Sequence, residues 1–140
     1  MKEPKLLLVD DVDYSRQLLR NNIMSLTEMK LLKYRTFNFF NAGTAADAKA
    51  LFTLHQPDIV FLDIELPDYS GLELLAQFKQ QKPSCFIAMI SGASTLENVT
   101  NSIKMGAATF IAKPFTGDKI LAAMRLMEKQ IYLQASQRTP

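Results

Sequence analysis

The sequence predicts an α/β protein: a parallel sheet with helices on both faces. Two patterns carry that prediction. Five short apolar runs alternate with five stretches of helical periodicity, and such alternation builds parallel strands joined by right-handed crossover helices. The run Ile59-Val60-Phe61-Leu62 ends on Asp63, and turn residues follow at once. A strand apolar on both faces is a buried parallel strand, so a carboxylate can stand only at its end. Ligands in open α/β sheets bind at that carboxyl edge, which makes Asp63 the candidate reacting group.

The elements follow in order. Lys5 to Asp10 is an apolar run that ends on acid, with Asp11 next. A helix is expected from Tyr14 to about Leu26, with Leu18, Leu19, Ile23 and Leu26 on one side and Asp13 as its N-cap. Arg16 and Arg20 lie on another side of it. Met24 to Tyr34 has helix formers and basic residues but only a rough apolar rhythm, so it reads as an extension of the helix plus a long connection. Arg35 to Phe40 is aromatic-rich and strand-like, and residues 41–44 form a turn. Thr44 caps a short helix from about Ala45 to Leu54, with Ala48, Leu51 and Phe52 inward.

Pro57 starts the central strand. Ser70 opens a third helix with an apolar stripe of Leu72, Leu74, Leu75 and Phe78, and Pro83 marks its end. Cys85 to Ile90 is an all-apolar strand stopped by Ser91-Gly92. Ser94 or Thr95 caps a fourth helix, whose inner face carries Val99 and Ile103 and which ends near Gly106. Ala107 to Ala112 is the last strand, stopped by Lys113-Pro114. Thr116 to about Tyr132 is the last helix, with Ile120, Leu121, Met124 and Met127 inward. The residues ending Arg138-Thr139-Pro140 read as a frayed end.

With 140 residues, 48% hydrophobic and 21% charged, the chain is expected to be one domain with a real core. A net charge of +2 is only weak evidence for nucleic-acid binding, and no block of basic residues strengthens it. No leading apolar segment and no membrane-length apolar run is present, so no membrane contact and a cytoplasmic location are expected. The one cysteine, Cys85, lies in an apolar run and reads as a buried, inert thiol. His55 precedes Gln56-Pro57 at the opposite end of the central strand, where a surface loop is the simpler reading than a phosphodonor.

Four polar signals stand just after four apolar strands: Asp10-Asp11, Asp63, Ser91 and Lys113. Parallel strands end at one rim, so these residues converge there. Three carboxylates so close stay ionised only beside a cation. Oxygen ligands with no His or Cys nearby favour Mg²⁺ over zinc. A carboxylate beside a metal, a hydroxyl and an ammonium is a phosphoryl-transfer site, and the carboxylate can itself be the nucleophile, giving an aspartyl phosphate. Taken singly, each signal is ordinary. Asp10-Asp11 would be a helix cap, Lys113-Pro114 a turn, Ser91-Gly92 a loop and Phe110 a core aromatic; it is their order and placement that count.

These motifs resemble those of the receiver domains of bacterial two-component response regulators, in particular the single-domain, chemotaxis-regulator-like ones. The match spans about Lys5 to Tyr132. It rests on Leu-Val-Asp10-Asp11, Phe-Leu-Asp63-Ile-Glu-Leu-Pro67 with Gly71 following, Ile-Ser91-Gly-Ala, and Phe110-Ile-Ala-Lys113-Pro114. The resemblance supports a flavodoxin-like strand order 2-1-3-4-5 and a receiver domain over residues 1–133 with a tail at 134–140. It implies that Asp63 takes a phosphoryl group from a sensor histidine kinase or phosphotransfer protein. It implies that Asp10, Asp11 and Asp63 hold Mg²⁺ with the backbone carbonyl of Glu65, and that Ser91 and Lys113 contact the phosphoryl group. Ser91 and Phe110 would form the switch pair: Ser91 is drawn inward and Phe110 fills the space it leaves. The Lys113-Pro114 bond would be cis. Ser91 stands where Thr is frequent and Phe110 where Tyr is also common.

A receiver with nothing foldable after Tyr132 would signal to an unknown protein target by contact, through the helix after Ser91 and the last helix, without binding nucleic acid itself. Homodimerisation through the last two helices stays open. It would be a phosphoacceptor that acts only on itself, not an enzyme on other substrates. Two alternatives share the chemistry. An aspartate-dependent phosphatase would use Asp11-Val12-Asp13 but lacks a later acidic pair and a cap domain. A degenerate receiver acting as a binding module would not need Asp63, Asp11 and Lys113 intact. A flavin carrier would want a hydroxyl- and glycine-rich loop where two acids stand.

Overall fold

Strand β1 (Lys5–Val9) leads into helix α1 (Asp13–Glu28), and the alternation continues through β2 (Asn38–Ala42), α2 (Ala45–His55), β3 (Ile59–Leu62), α3 (Gly71–Gln81), β4 (Phe86–Ser91), α4 (Leu96–Lys104), β5 (Thr109–Ala112) and α5 (Gly117–Arg138). This computed structural model describes residues 3–138. All neighbouring strands pair in parallel, in the order β2-β1-β3-β4-β5, so the expected class and strand order both hold.

The strands bury both faces because side chains alternate. Leu6, Leu8, Phe61, Ala88 and Ile90 meet α1 and α5 through Leu19, Ile23, Ile120 and Met124. Leu7, Val9, Val60, Leu62 and Met89 meet α2 and α3 through Ala48, Phe52, Leu74 and Phe78. On that second face the Phe52 and Phe78 rings stack at 4.0 Å and 4°. Burying each large aliphatic or aromatic side chain contributes roughly 1.5–3 kcal/mol. No helix among the described residues is long and apolar enough to cross a membrane.

Several local expectations are corrected. Asp13 is the first residue of α1, not its cap; Val12 holds the N-cap position without a side-chain bond. The Asp13 carboxylate is taken by Arg16 and Gln17 one turn on. Leu18 is exposed, as the buried stripe runs through Leu19, Ile23 and Leu26. The second strand begins at Asn38, not Arg35, because pairing with β1 starts at Lys5↔Asn38; Phe37 instead enters the core beneath α1. On α4 the fully buried residue is Ser102, while Ile103 is 48% exposed. Asn98 sets that rotation by donating to the carbonyl of Ala93. The last helix continues past Tyr132 to Arg138, where Gln134 donates to the Ser84 carbonyl at 3.2 Å; Thr139 and Pro140 lie outside the described residues. Thr44, Ser70 and Thr95 do cap α2, α3 and α4 through their side chains.

The long connection from α1 to β2 has its own anchor. Lys30 turns left-handed at φ 59. Glu128, buried on α5, then accepts the backbone N–H of Lys33 at 2.5 Å and of Tyr34 at 3.0 Å through one carboxylate oxygen.

Candidate functional site

The strand register explains the convergence. Val9 pairs with Leu62 and Ser91 with Ala112, so Asp10, Asp63, Ser91 and Lys113 all fall at one edge. The Asp63 N–H donates to the Val9 carbonyl at 3.0 Å, and the Lys113 N–H to the Ser91 carbonyl at 3.0 Å. The Lys113-Pro114 peptide is cis.

Asp63 is 4% exposed, and both its carboxylate oxygens are engaged. Oδ1 accepts the Ser91 hydroxyl at 2.6 Å and the Glu65 N–H at 3.0 Å. Oδ2 accepts the Lys113 ammonium at 2.9 Å. The Ser91 hydroxyl in turn accepts the Ala93 N–H at 3.2 Å, which orients it toward Asp63. Ser91 thus faces the Asp63 carboxylate.

Lys113 also donates to Oδ2 of Asp10, which is buried; Oδ1 of Asp10 holds the Val12 N–H at 2.9 Å. Burial works against the Lys113 ammonium, but its hydrogen bonds to Asp10 and Asp63 and their charges outweigh it and hold the group above its ordinary value. Asp11 is exposed at the outer wall. Asp10, Asp11 and Asp63 each offer a carboxylate oxygen, all within 4.8 Å of one another. An all-oxygen donor set with room outside it fits a hard divalent cation such as Mg²⁺.

The side chains of Glu65, Phe110 and His55 stand outside these hydrogen bonds, as expected for Glu65 and His55. The Glu65 side chain is exposed, and its backbone bridges to Ser70. Phe110 is half-buried, packed against the α2–α3 side of the core. His55 closes α2 at the opposite end of the sheet, half-buried and stacked on Phe40 at 4.0 Å.

Gly71, part of the Asp63 motif, proves to be a support of the site, and two further supports, Asp68 and Arg16, were not signalled by the sequence. Gly71 is pressed against the Asp63-Ile64 backbone and donates its N–H to the Ile64 carbonyl at 2.8 Å. Asp68, in the loop after β3, caps the start of α2 by accepting the N–H groups of Ala45 at 2.8 Å and Ala46 at 3.1 Å. Those bonds, that of Ala45 foremost, lower its pKa. Arg16 donates to the Asp10 carbonyl and pairs with Asp13 at 2.8 Å, tying the acidic loop to the first turn of α1. Asp68 reaches from the loop after β3 to the start of α2, and Arg16 reaches back from α1 to the Asp10 carbonyl, so no motif signals either contact.

Comparison with known proteins gives a consistent result. The family model described as "Response regulator receiver domain" matches residues 6–125. The chemotaxis protein CheY of Listeria monocytogenes is 34% identical over 125 residues, covering 89% of this chain and 98% of its own length. Sporulation initiation phosphotransferase F of Bacillus subtilis is 30% identical over 125 residues, covering 89% and 94%. Among solved structures, the receiver domain of NtrX from Brucella abortus superposes with a TM-score of 0.74 at 33% identity, covering 88% of this chain and 98% of its own.

Proposed function

The chain belongs to the response regulator receiver domain family, and from that membership we propose that it is a signalling switch that accepts a phosphoryl group on Asp63. Receiver domains interact with histidine kinases or phosphotransfer proteins, and either would be the donor here. The observation that carries the reading is the triad at one strand edge: Asp63 with Ser91 at 2.6 Å on one oxygen and Lys113 at 2.9 Å on the other.

In the transfer, an Asp63 carboxylate oxygen forms the new P–O bond as the P–N bond of the donor phosphohistidine breaks, and the leaving imidazole takes up a proton. Asp10, Asp11 and Asp63, with the Glu65 carbonyl, would hold Mg²⁺. Bound there, the ion supplies charge neutralisation for the phosphoryl oxygens. Lys113 moves its ammonium from the Asp63 carboxylate to a phosphoryl oxygen, and Ser91 donates its hydroxyl to another. The product carries roughly −1.5 to −2 charges, and it biases the fold only through contacts that differ between the two states. Ser91 is the first of those contacts and Phe110 on β5 responds to it.

The receiver unit runs through α5, whose Gln134 is still tied to the Ser84 carbonyl, and it works in the cytoplasm. Its output is contact with a protein target, on a surface where Leu96 is 82% and Ile103 48% exposed. The protein is a phosphoacceptor that acts on itself alone. Incubation with Mg²⁺ and a small acyl phosphate, followed by mass mapping, tests the reading. Label on Asp63 is expected and should vanish in Asp63→Asn; label on Asp11, or none, overturns it.

A further inference from the structure

The α1–β2 connection and α5 enclose a cleft of about 410 Å³, lined by Lys30, Leu31, Lys33, Arg125, Glu128 and Lys129 among others. A second cleft, of about 500 Å³, adjoins it through Lys30, Leu32 and Lys33 and adds Arg35 together with one exposed acid, Glu28. The first thus gathers four cations around one acid. That acid is committed, since a Glu128 oxygen holds the backbone of Lys33 and Tyr34. Lys30, Arg35, Arg125 and Lys129 are exposed, and none forms an ion pair with an acidic side chain among the described residues.

We propose that this double cleft docks an acidic segment of a partner protein, independently of phosphorylation. Charge complementarity selects an anionic occupant, and the charges here are exposed, so they would act chiefly on encounter and specificity. The cluster is compact: Arg125 to Lys129 spans about 6 Å of helix, enough for a few carboxylates. The lining offers no aromatic on which a base could stack. It does offer the partly buried Leu31, which suits an apolar residue within the acidic segment. These features favour a peptide over nucleic acid.

The position gives the site its use. Helix α1 starts beside Asp10 and Asp11, and its 16 residues, about 24 Å of helix, carry the chain to the opposite end of the sheet. A partner seated there leaves the Asp63 rim open to a phosphodonor. Tethering at one end would then raise the effective concentration of the partner's other module at the other.

The test uses the full chain and a short fluorescent oligoglutamate peptide with one central leucine, with no phosphoryl donor present, so its outcome is separate from the fate of Asp63. Saturable binding is expected that weakens at least about tenfold from low to physiological salt, with amide shifts centred on residues 30–35 and 125–129. The combined variant Lys30→Glu, Arg125→Glu, Lys129→Glu should lose at least about tenfold in affinity while labelling of Asp63 by acyl phosphate stays unchanged. No binding at low salt, affinity in the variant equal to wild type, shifts centred elsewhere, or tighter binding of duplex DNA than of the peptide would each overturn the proposal.

Discussion

The backbones of Gly71 and Asp63 are in direct contact: a Cβ built on the glycine would stand 2.0 Å from the Asp63 carbonyl oxygen and 2.6 Å from Cα of Ile64. No side chain can be accommodated there unless the Asp63-Ile64 peptide moves. The first turn of α3 therefore seats the Asp63-Ile64 peptide, and the carboxylate inherits its position from that seat. Gly71→Ala should displace Asp63 from Ser91 and Lys113. Expected are a loss of about 1–3 kcal/mol in urea unfolding, the usual range for overpacking, and labelling of Asp63 by acyl phosphate slowed at least about tenfold. Wild-type labelling in a folded Gly71→Ala protein would show that the contact does not position Asp63.

Lys113 bridges Asp10 and Asp63 with its ammonium. Lys113→Met would leave two buried carboxylates with no cation between them. Removing one partner of a buried pair costs about 3–5 kcal/mol; with the Lys113 side chain 23% exposed, about 1–3 kcal/mol is expected at neutral pH. Added Mg²⁺ should raise the melting temperature more in the variant than in wild type, because the variant has the larger uncompensated charge; an equal rise would contradict the bridging role. The folded-state pKa of Lys113 is raised. Its stabilisation is therefore fully present below the ordinary lysine value of 10.5 and is lost as pH rises through the higher folded-state value. The stability gap between wild type and Lys113→Met should persist through neutral pH and close only in strong alkali.

The parts of this fold that could be read from the chain are those where local pattern and tertiary environment agree. Ile59 to Leu62 is apolar at every position and is buried at every position. The acids and the lysine at strand ends were legible because parallel strands share a rim. Cys85 is buried as expected, and burial pushes its thiol up to about 12, which keeps it unreactive. Elements near the edges were harder. β2 is an edge strand whose register is chosen by β1, so its aromatic run misplaced it by three residues at its start. Asp68, Arg16 and Glu128 act on backbone groups of other loops or turns, and a carboxylate that reaches 95 residues away to the Lys33 amide leaves no local trace.

Asp68 links the loop after β3 to α2, and its charge makes that link sensitive to acid. The Ala45 N–H first, then that of Ala46, lowers its pKa from the ordinary 3.8. A depressed carboxylate stabilises the fold above its unfolded value, and the contribution fades as pH falls through the folded one. Asp68→Asn should therefore be less stable than wild type at neutral pH, with the difference closing below about 3.8. Urea unfolding at stepped pH measures it. A difference that stays constant into acid would mean that the charge on Asp68 contributes nothing.

Glu128 makes the last prediction, at the end of the sheet away from Asp63. Its carboxylate is the acceptor for the Lys33 and Tyr34 N–H groups, so Glu128→Ala leaves both donors without it in a half-closed site. A loss of about 1–3 kcal/mol is expected, with amide exchange at Lys33 and Tyr34 accelerated relative to α1. Glu128→Gln keeps an acceptor oxygen and should restore part of that protection. Burial first, and then the charges of Glu128 and Asp58, raise the Tyr34 hydroxyl above its ordinary 10.0, so both variants should lower its titration midpoint in ultraviolet absorbance. Labelling of Asp63 should be unchanged in each. Unaltered exchange at Lys33 and Tyr34 in Glu128→Ala would mean that the connection is held by Leu32 and Phe37 in the core, and that the buried carboxylate is not its clamp.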